Sequence, residues 1–363
     1  MGLLFGRRRR SSLTGIVIGR LPFLRLLGPG TTLAGILALL FCLVTGRIDL
    51  RTLERMIGSR LGEQQADTAI QPVNLRNLGQ KSADTVRIAT FNIKVFGKDK
   101  SSNNEVMDVI AQIVAQFDVV AIQEVRGGDA VPIQRLVDKL NASGARYTAT
   151  VSLPIGRTSQ TESYAFVWDE NRVQLVPRSA YLVMDTSDRM HREPMVASFQ
   201  VRTGTPDGRI PFRFTLINAH TSPREVVSSA INNEMDVLDD VFVSVRQFDY
   251  QETGEEDFIL LGDLNVDPGG LRELGQIPGI VTIAGDIKTN TLRTKTYDHI
   301  MIDQQSTREF TGRFGVLDLQ AEFGLSQEQA TEISDHLPLW AEFSAYEMPG
   351  FQPVAASDNR PIR

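Results

Sequence analysis

Apolar runs in this chain repeatedly meet side chains that can bind a metal or move a proton. VRIATFNI runs through Asn92, DVVAIQEV reaches Glu124, and FRFTLINAH ends at His220. FILLGDLN closes on Asp263 and Asn265, and Asp298 lies at the edge of YDHIMI. Another cluster, Ser334-Asp335-His336, stands just ahead of LPLWAEF. Asp and Asn also cap helices and make turns, so any one of these clusters reads equally well as a structural device. Six drawn from the same small set of residue types are hard to explain as caps. Ends that converge on one rim would build a metal and acid–base site.

Carboxylates on stiff strand ends suit a hard cation such as Mg²⁺ or Mn²⁺, which prefers oxygen ligands. Glu124 is the first ligand candidate. Zinc fits poorly: the four histidines, His191, His220, His299 and His336, show no H-x-x-x-H spacing, and Cys42 is the single cysteine. Two histidines with carboxylate partners could serve as general base and general acid, since a neighbouring carboxylate fixes the imidazole tautomer and raises its pKa. Asparagines would hold phosphoryl oxygens. Together these parts fit hydrolysis of a phosphate ester by water.

The elements that must position such a site begin near residue 86. Buried strands are expected in the four runs quoted first, in YAFVW and VASFQV, and in YDHIMI and LPLWAEF. EVMDVIAQIVAQF places Val106, Ile110, Ile113, Val114 and Phe117 at helical spacing. PIQRLVDKL and INNEMDVLDDVFVSV are two further helix candidates. Strands and helices are interspersed without a regular parallel βαβ repeat. The expected architecture is α+β: a four-layer α/β/β/α sandwich of two packed mixed sheets flanked by helices. The acidic stretch QFDYQETGEEDF, 247–258, reads as a solvated loop.

Charge divides the chain. Residues 1–85 carry 12 Lys/Arg against 5 Asp/Glu, a net of +7, whereas residues 86–345 carry 24 against 37, a net of −13. An acidic body argues against loose electrostatic binding of nucleic acid, though not against a site where divalent cations bring the positive charge. One cysteine allows no intrachain disulfide.

Arg7 to Arg10 precede an uncharged run, LLGPGTTLAGILALLFCLVTG, from Leu26 to Gly46. A helix of that length would span roughly 31 Å at about 1.5 Å per residue, close to a bilayer core. An N-terminal transmembrane helix is expected, with a cleaved signal peptide and a buried core helix as alternatives. Positive flanks stay on the cytoplasmic side. The reading is therefore a single-pass membrane protein with its catalytic domain outside the cytoplasm, or a secreted one if the segment is cleaved. The expected divisions are 1–46 for the basic N-terminus and anchor and 47–85 for a juxtamembrane helix and linker. The catalytic domain follows over 86–345, with a tail at 346–363.

FNIKVFG (91–97), IQEVR (122–126), GRTSQTESYAFVW (156–168), REP (192–194), NAHTSP (218–223), GDLN (262–265), YDHI (297–300) and SDHLP (334–338) occur in that order. This series resembles the endonuclease/exonuclease/phosphatase superfamily, in its deoxyribonuclease I-like branch, over about residues 86–343. The resemblance implies roles residue by residue. Glu124 would be a metal ligand, with Asn92, Asp263 and Asp335 as further metal candidates. His220 would pair with Glu162 and His336 with Asp298; one histidine activates water and the other protonates the leaving 3′-oxygen. Asp263 would orient the attacking side or a second metal, and Asn265 would hold the scissile phosphate. Arg126, Arg157 and Arg192 would contact DNA. A calcium loop would involve Asp286, Thr289 and Thr291, with its spacing shifted.

The implied activity is a metal-dependent DNA endonuclease of low sequence preference that leaves a 5′-phosphate. It would use Mg²⁺ or Mn²⁺, with Ca²⁺ at the loop, act as a monomer, and need no protein partner. The competing reading is a phosphoesterase at a membrane surface, acting on lipid head groups or small phosphate esters. Departures from the family pattern are the missing disulfides and Gln160, which stands where the family has a groove tyrosine.

Overall fold

Strands form where the apolar runs predict them, and those runs are buried almost throughout. The structure is a computed structural model that describes residues 78–158, 161–231 and 233–348. By contacts the chain separates into two units, Met1–Ala69 and Ile70–Arg363, and the first lies outside the described residues.

One sheet has six strands in the order β12-β13-β1-β2-β4-β3. These are β1 (Thr85–Phe96), β2 (Val119–Val125), β3 (Tyr147–Val151), β4 (Ser163–Asp169), β12 (Phe310–Val316) and β13 (Leu339–Ser344). The other has seven: β5 (Val173–Leu175), β6 (Tyr181–Leu182), β7 (Met195–Val201), β8 (Arg213–His220), β9 (Phe258–Asp263), β10 (Ile280–Thr282) and β11 (Asp298–Asp303). Its order is β10-β11-β9-β8-β7-β5, with β6 also pairing β7. Each sheet contains one parallel pair, β1–β2 and β8–β9, among antiparallel neighbours. Parallel neighbours need a crossover, and helices supply it. Helices α1 (Lys98–Ser102) and α2 (Asn104–Val114) link β1 to β2, and α4 (Met235–Thr253) links β8 to β9. The remaining helices are α3 (Val131–Asn141), α5 (Leu319–Phe323) and α6 (Gln327–Ile333).

The sheets pack face to face. Phe166, Trp168, Phe199, Phe212, Phe214 and Phe343 fill the space between them, with Phe199 edge-on to Phe166 and to Trp168 at 5.5 Å. Fully burying such a ring is worth about 1.5–3 kcal/mol, so this aromatic layer is a principal force holding one sheet on the other. Helix α2 covers the outer face of the six-stranded sheet with Val106, Ile110, Ile113 and Val114, and Asn103 caps it by accepting from the Glu105 and Val106 amides. Helix α4 covers the seven-stranded sheet with Met235, Leu238 and Phe242. The four-layer expectation agrees with two packed mixed sheets and their flanking helices.

Several boundaries differ from those expected. Leu78 is buried in the core, and Lys81 reaches the buried carboxylate of Asp118 at 3.2 Å, so the end of the expected linker is held against the domain. Tyr346 is also buried, carrying the domain past 345. The stretch 247–258 is no solvated loop. Its first part completes α4, which stops at Gly254 with φ 72°, and its last part buries Glu255 and Asp257. The apolar face of α4 ends at Val245; beyond it the helix buries Asp249 and leaves Phe248 and Tyr250 exposed.

The membrane placement is corrected. Among the described residues no helix is long and apolar enough to cross a membrane. The run at 26–46 on which the anchor rested lies outside them, as does Gln160.

Candidate active site

The carboxyl ends of the two parallel pairs meet at one rim, and this is where the clustered polar residues lie. In the seven-stranded sheet, register puts Asp263 of β9 directly beside His220 of β8 and Asp298 of β11. Directly paired residues share a face, so the three side chains form one row. Close approach of β9 to β8 requires the glycine before it: a Cβ on Gly262 would stand 1.8 Å from the Ala219 carbonyl oxygen, and its φ is 147°.

In the six-stranded sheet, the β1–β2 register breaks after Asn92 and Gln123. Glu124 sits in that irregularity with φ 62°, a left-handed conformation that a glutamate adopts at a cost of order 1–3 kcal/mol. A bulge of this kind re-aims a side chain. Glu124 is turned toward the rim, where its Oε2 accepts the Val95 amide at 2.9 Å and its Oε1 accepts from Asn92 Nδ2 at 3.2 Å.

Two histidine–carboxylate dyads face each other across the rim. His220 Nδ1 lies 2.6 Å from Glu162 Oε1, and His336 Nδ1 lies 2.8 Å from Asp298 Oδ2. A carboxylate only accepts, so each Nδ1 donates and each Nε2 is left facing the site. Both Nε2 atoms look at one oxygen: Asp263 Oδ2 is 3.6 Å from His220 and 3.4 Å from His336. Asn92 Nδ2 donates to that same oxygen at 3.0 Å. Each dyad joins the sheets. His220 stands on the seven-stranded sheet while Glu162 precedes β4 of the other; His336 precedes β13, while Asp298 belongs to β11.

Burial and charge set the protonation states. Burial disfavours the His336 cation, but the charges of Asp298 and Asp263 and the hydrogen bond to Asp298 outweigh it and raise its pKa to about 10. His220 is raised on the same balance, burial opposed by Glu162. Burial would push Glu162 up, yet His220, Arg192 and Arg126 together hold it below the usual carboxylate value. Asp298 is raised by burial and by Asp263, with His336 acting against both.

Asn265 occupies the left-handed region at φ 53°, which asparagine tolerates. Its amide donates to Asp263 Oδ1 at 3.0 Å and its Nδ2 to the Thr221 carbonyl at 2.9 Å. Three arginines behave differently. Arg126 stands between Glu162 at 3.1 Å and Glu124 at 3.6 Å. Arg192 is 7% exposed and is committed to Glu162 at 3.3 Å and to the His220 and Thr221 carbonyls at 3.0 Å each. Arg157 is partly exposed and paired with Glu225.

Other expected positions lie apart. Asp335 is partly exposed and bonded to Lys94 at 2.7 Å. The residues of the expected calcium loop do other work. The Thr289 hydroxyl accepts the Tyr297 and Asp298 amides at 3.0 Å each, the Thr291 hydroxyl donates to the Ser334 carbonyl at 2.7 Å, and Asp286 is exposed. His299, beside Asp298 in sequence, is a buried strut between Thr282 and the Val266 carbonyl.

Sequence reasoning missed the supports. Ser334 Oγ donates to the Asn92 carbonyl at 2.6 Å and accepts the Lys94 and His336 amides, so one hydroxyl ties the end of β1 to a dyad. Tyr164 Oη accepts the His220 amide at 2.8 Å. Neither residue type announces such a role; Ser334 stood within a quoted cluster, and adjacency to Asp335-His336 was the only signal.

An all-oxygen group suits a hard cation here. Glu124 and Asp263 lie close to Asn92, whose Oδ1 is buried without a hydrogen-bond partner. Asp263, Asp298 and His336 also bring ligand atoms within 4.8 Å of one another. Chemically, such an arrangement can take a negatively charged ester beside a cation and offers two histidines to move protons on opposite sides.

Comparison with known proteins points to one family. Residues 89–336 match the model of the Endonuclease/Exonuclease/phosphatase family. The chain is similar to Deoxyribonuclease-1-like 1 of Chlorocebus aethiops, 31% identical, over 75% of this chain and 89% of that protein. It is similar to Deoxyribonuclease gamma of Rattus norvegicus, 30% identical over 72% and 86% respectively. With Deoxyribonuclease-1 of Bos taurus it shares 30% identity over 70% and 91%.

Proposed function

The chain belongs to the endonuclease/exonuclease/phosphatase family, and from that premise we propose that it is a divalent-metal-dependent DNA endonuclease of low sequence preference. The observation that carries the reading is the pair of opposed dyads, with both histidine Nε2 atoms directed at Asp263. Phosphodiester hydrolysis needs a base for the attacking water and an acid for the departing oxygen, and two such groups on either side of one point supply both. The relatives named deoxyribonucleases support DNA as the substrate.

Glu124 and Asp263, with Asn92, would hold the cation. Bound Mg²⁺ or Mn²⁺ would supply charge to offset the phosphate and lower the pKa of water. The chain's own residues do the rest. Glu162 and Asp298 fix the tautomers of their histidines. One Nε2 takes the proton from water as its oxygen bonds to phosphorus. The P–O3′ bond breaks, and the other Nε2 gives its proton to the 3′-oxygen, leaving a 5′-phosphate. Asn265 holds a phosphoryl oxygen. Arg126 and Arg157 meet the DNA. Arg192, turned inward, acts as a positioning residue for Glu162 and the His220 backbone.

The test is nicking of supercoiled plasmid by the full chain with Mg²⁺, with Mn²⁺ and with chelator, beside His220→Ala. Cleavage that requires the cation and vanishes in the variant is expected. A folded wild-type protein that leaves plasmid intact under every condition overturns the reading.

A further inference from the structure

Strand β9 carries an acid at each end. Asp263 closes it at the rim. Asp257 immediately precedes it, about 20 Å away for six steps of ~3.4 Å, and belongs to a different group. Oxygens of Asp257, Glu309 and Glu347 lie within 4.8 Å of one another. Asp257 and Glu309 are 6% and 3% exposed. Some of their acceptors are used: Glu309 Oε1 accepts the Met348 amide at 2.6 Å, and Glu347 Oε1 accepts the Arg213 amide at 2.8 Å. Two are not. Asp257 Oδ1 and Glu309 Oε2 are buried without a hydrogen-bond partner. Of the neighbouring cations, Arg213 pairs with Glu255 at 3.1 Å and Arg246 with Asp303 at 2.9 Å.

A buried carboxylate oxygen with no donor is costly, and three carboxylates this close repel one another when ionised. One hard divalent cation answers both: it takes six to eight oxygen ligands, some of them waters, at about 2.3–2.6 Å. A cavity of about 1240 Å³ opens beside the cluster and gives an ion and its waters a way in; Arg209, Arg246 and Arg308 also line it, outnumbered by seven acids that include Asp257, Glu309 and Glu347. Placement supplies the purpose. Asp257 leads into the seven-stranded sheet, whereas Glu309 leads into β12 and Glu347 follows β13 of the other.

We propose that Asp257, Glu309 and Glu347 form a second divalent-cation site, of calcium chemistry, that clamps the two sheets together at the end opposite the catalytic rim. The site is independent of the catalytic reading and stands or falls without it.

Calorimetric titration of the full chain with Ca²⁺ tests it, using wild type, Glu124→Gln to weaken the rim, and Asp257→Asn/Glu309→Gln. Wild type should bind one Ca²⁺ more than the double variant, and Glu124→Gln should retain that ion. Ca²⁺ should raise the melting temperature of wild type and Glu124→Gln but not of the double variant. Glu347→Gln, at the partly exposed edge, should weaken binding at least tenfold and is the milder change should the double variant not fold. Equal Ca²⁺ stoichiometry and equal thermal shifts in wild type and variants overturn the proposal. So does a Glu124→Gln protein that binds no Ca²⁺, whatever the double variant does.

Discussion

The two ends of β9 set the same residue type in opposite surroundings. At the rim, Asp263 Oδ2 accepts from Asn92 and faces two histidine Nε2 atoms, and its Oδ1 accepts the Asn265 amide. At the far end, Asp257 faces Glu309, Glu347 and Glu255; burial, followed by those charges, pushes its carboxyl up to about 9. A buried acid therefore takes its meaning from what faces it. The rim carries its donors within the chain, ready to handle protons. The far end has fewer: Glu309 and Glu347 each accept one backbone amide, while Asp257 Oδ1 and Glu309 Oε2 have no hydrogen-bond partner, so its charge balance depends on protons or on an added cation.

The largest expected effects break the rim and leave the far end alone. His220→Ala or His336→Ala should each lower kcat/KM for plasmid nicking by about 10²–10⁴-fold, the range for losing a positioned acid or base. Ca²⁺-induced thermal shifts at the far end should persist in both. A histidine variant with near-wild-type turnover would remove its dyad from the chemistry. Gly262→Ala strikes the row itself. Its Cβ would enter the Ala219 carbonyl, forcing β8 and β9 apart, and a loss of about 3 kcal/mol or more is expected in denaturant unfolding, at the upper end for single substitutions. A Gly262→Ala chain of wild-type stability would mean that β9 need not approach β8 so closely.

The rim was far more legible in sequence than the far end, for a physical reason. Strand period and apolar runs mark where strands stop, so Asn92, Glu124, His220, Asp263 and Asp298 stood out as polar residues on buried strands. What the runs could not show was which ends meet. The dyads bridge two sheets, and the pairing of His220 with Glu162 came from resemblance rather than pattern. Asp257 sat in an acidic stretch that looks solvated, because burial of an acid at a sheet-to-sheet junction depends on Glu309 and Glu347, far along the chain. Arg192 reads as a surface cation by type, yet it is turned in toward Glu162 by contacts no local pattern encodes. Short strands such as β5, β6 and β10 went unmarked, being two or three residues long.

Arg192 gives a smaller and sharper test of how the rim keeps its donors. Arg192→Met would leave the His220 and Thr221 carbonyls and the Glu162 carboxylate short of a partner. A buried group so stranded costs about 1–3 kcal/mol. Turnover should fall about tenfold with KM little changed, and Arg192→Lys, which restores charge without the fork, should recover only part of it. A pure KM effect would instead make Arg192 a DNA contact.

The smallest expected effect concerns the far end and carries the opposite sign from most substitutions. Asp257 holds its proton more tightly folded, near 9, than its ordinary value of 3.8, and Glu347 is raised to about 7 from 4.5, in both cases chiefly by burial. The protonated forms favour the folded state. Their contribution is complete below about pH 4 and is lost as pH rises through 7 and then 9. Without divalent cation, wild type should lose stability across that window. Asp257→Asn removes one charge and should melt about 2–4 °C higher than wild type at pH 9, the shift that ~1 kcal/mol gives in a domain of this size. Saturating Ca²⁺ should reverse the order, since the ion stabilises the ionised cluster and the asparagine weakens its site. If the order is the same with and without Ca²⁺, the far end is a proton-sharing junction, and the contrast between the two ends of β9 reduces to histidines at one and protons at the other.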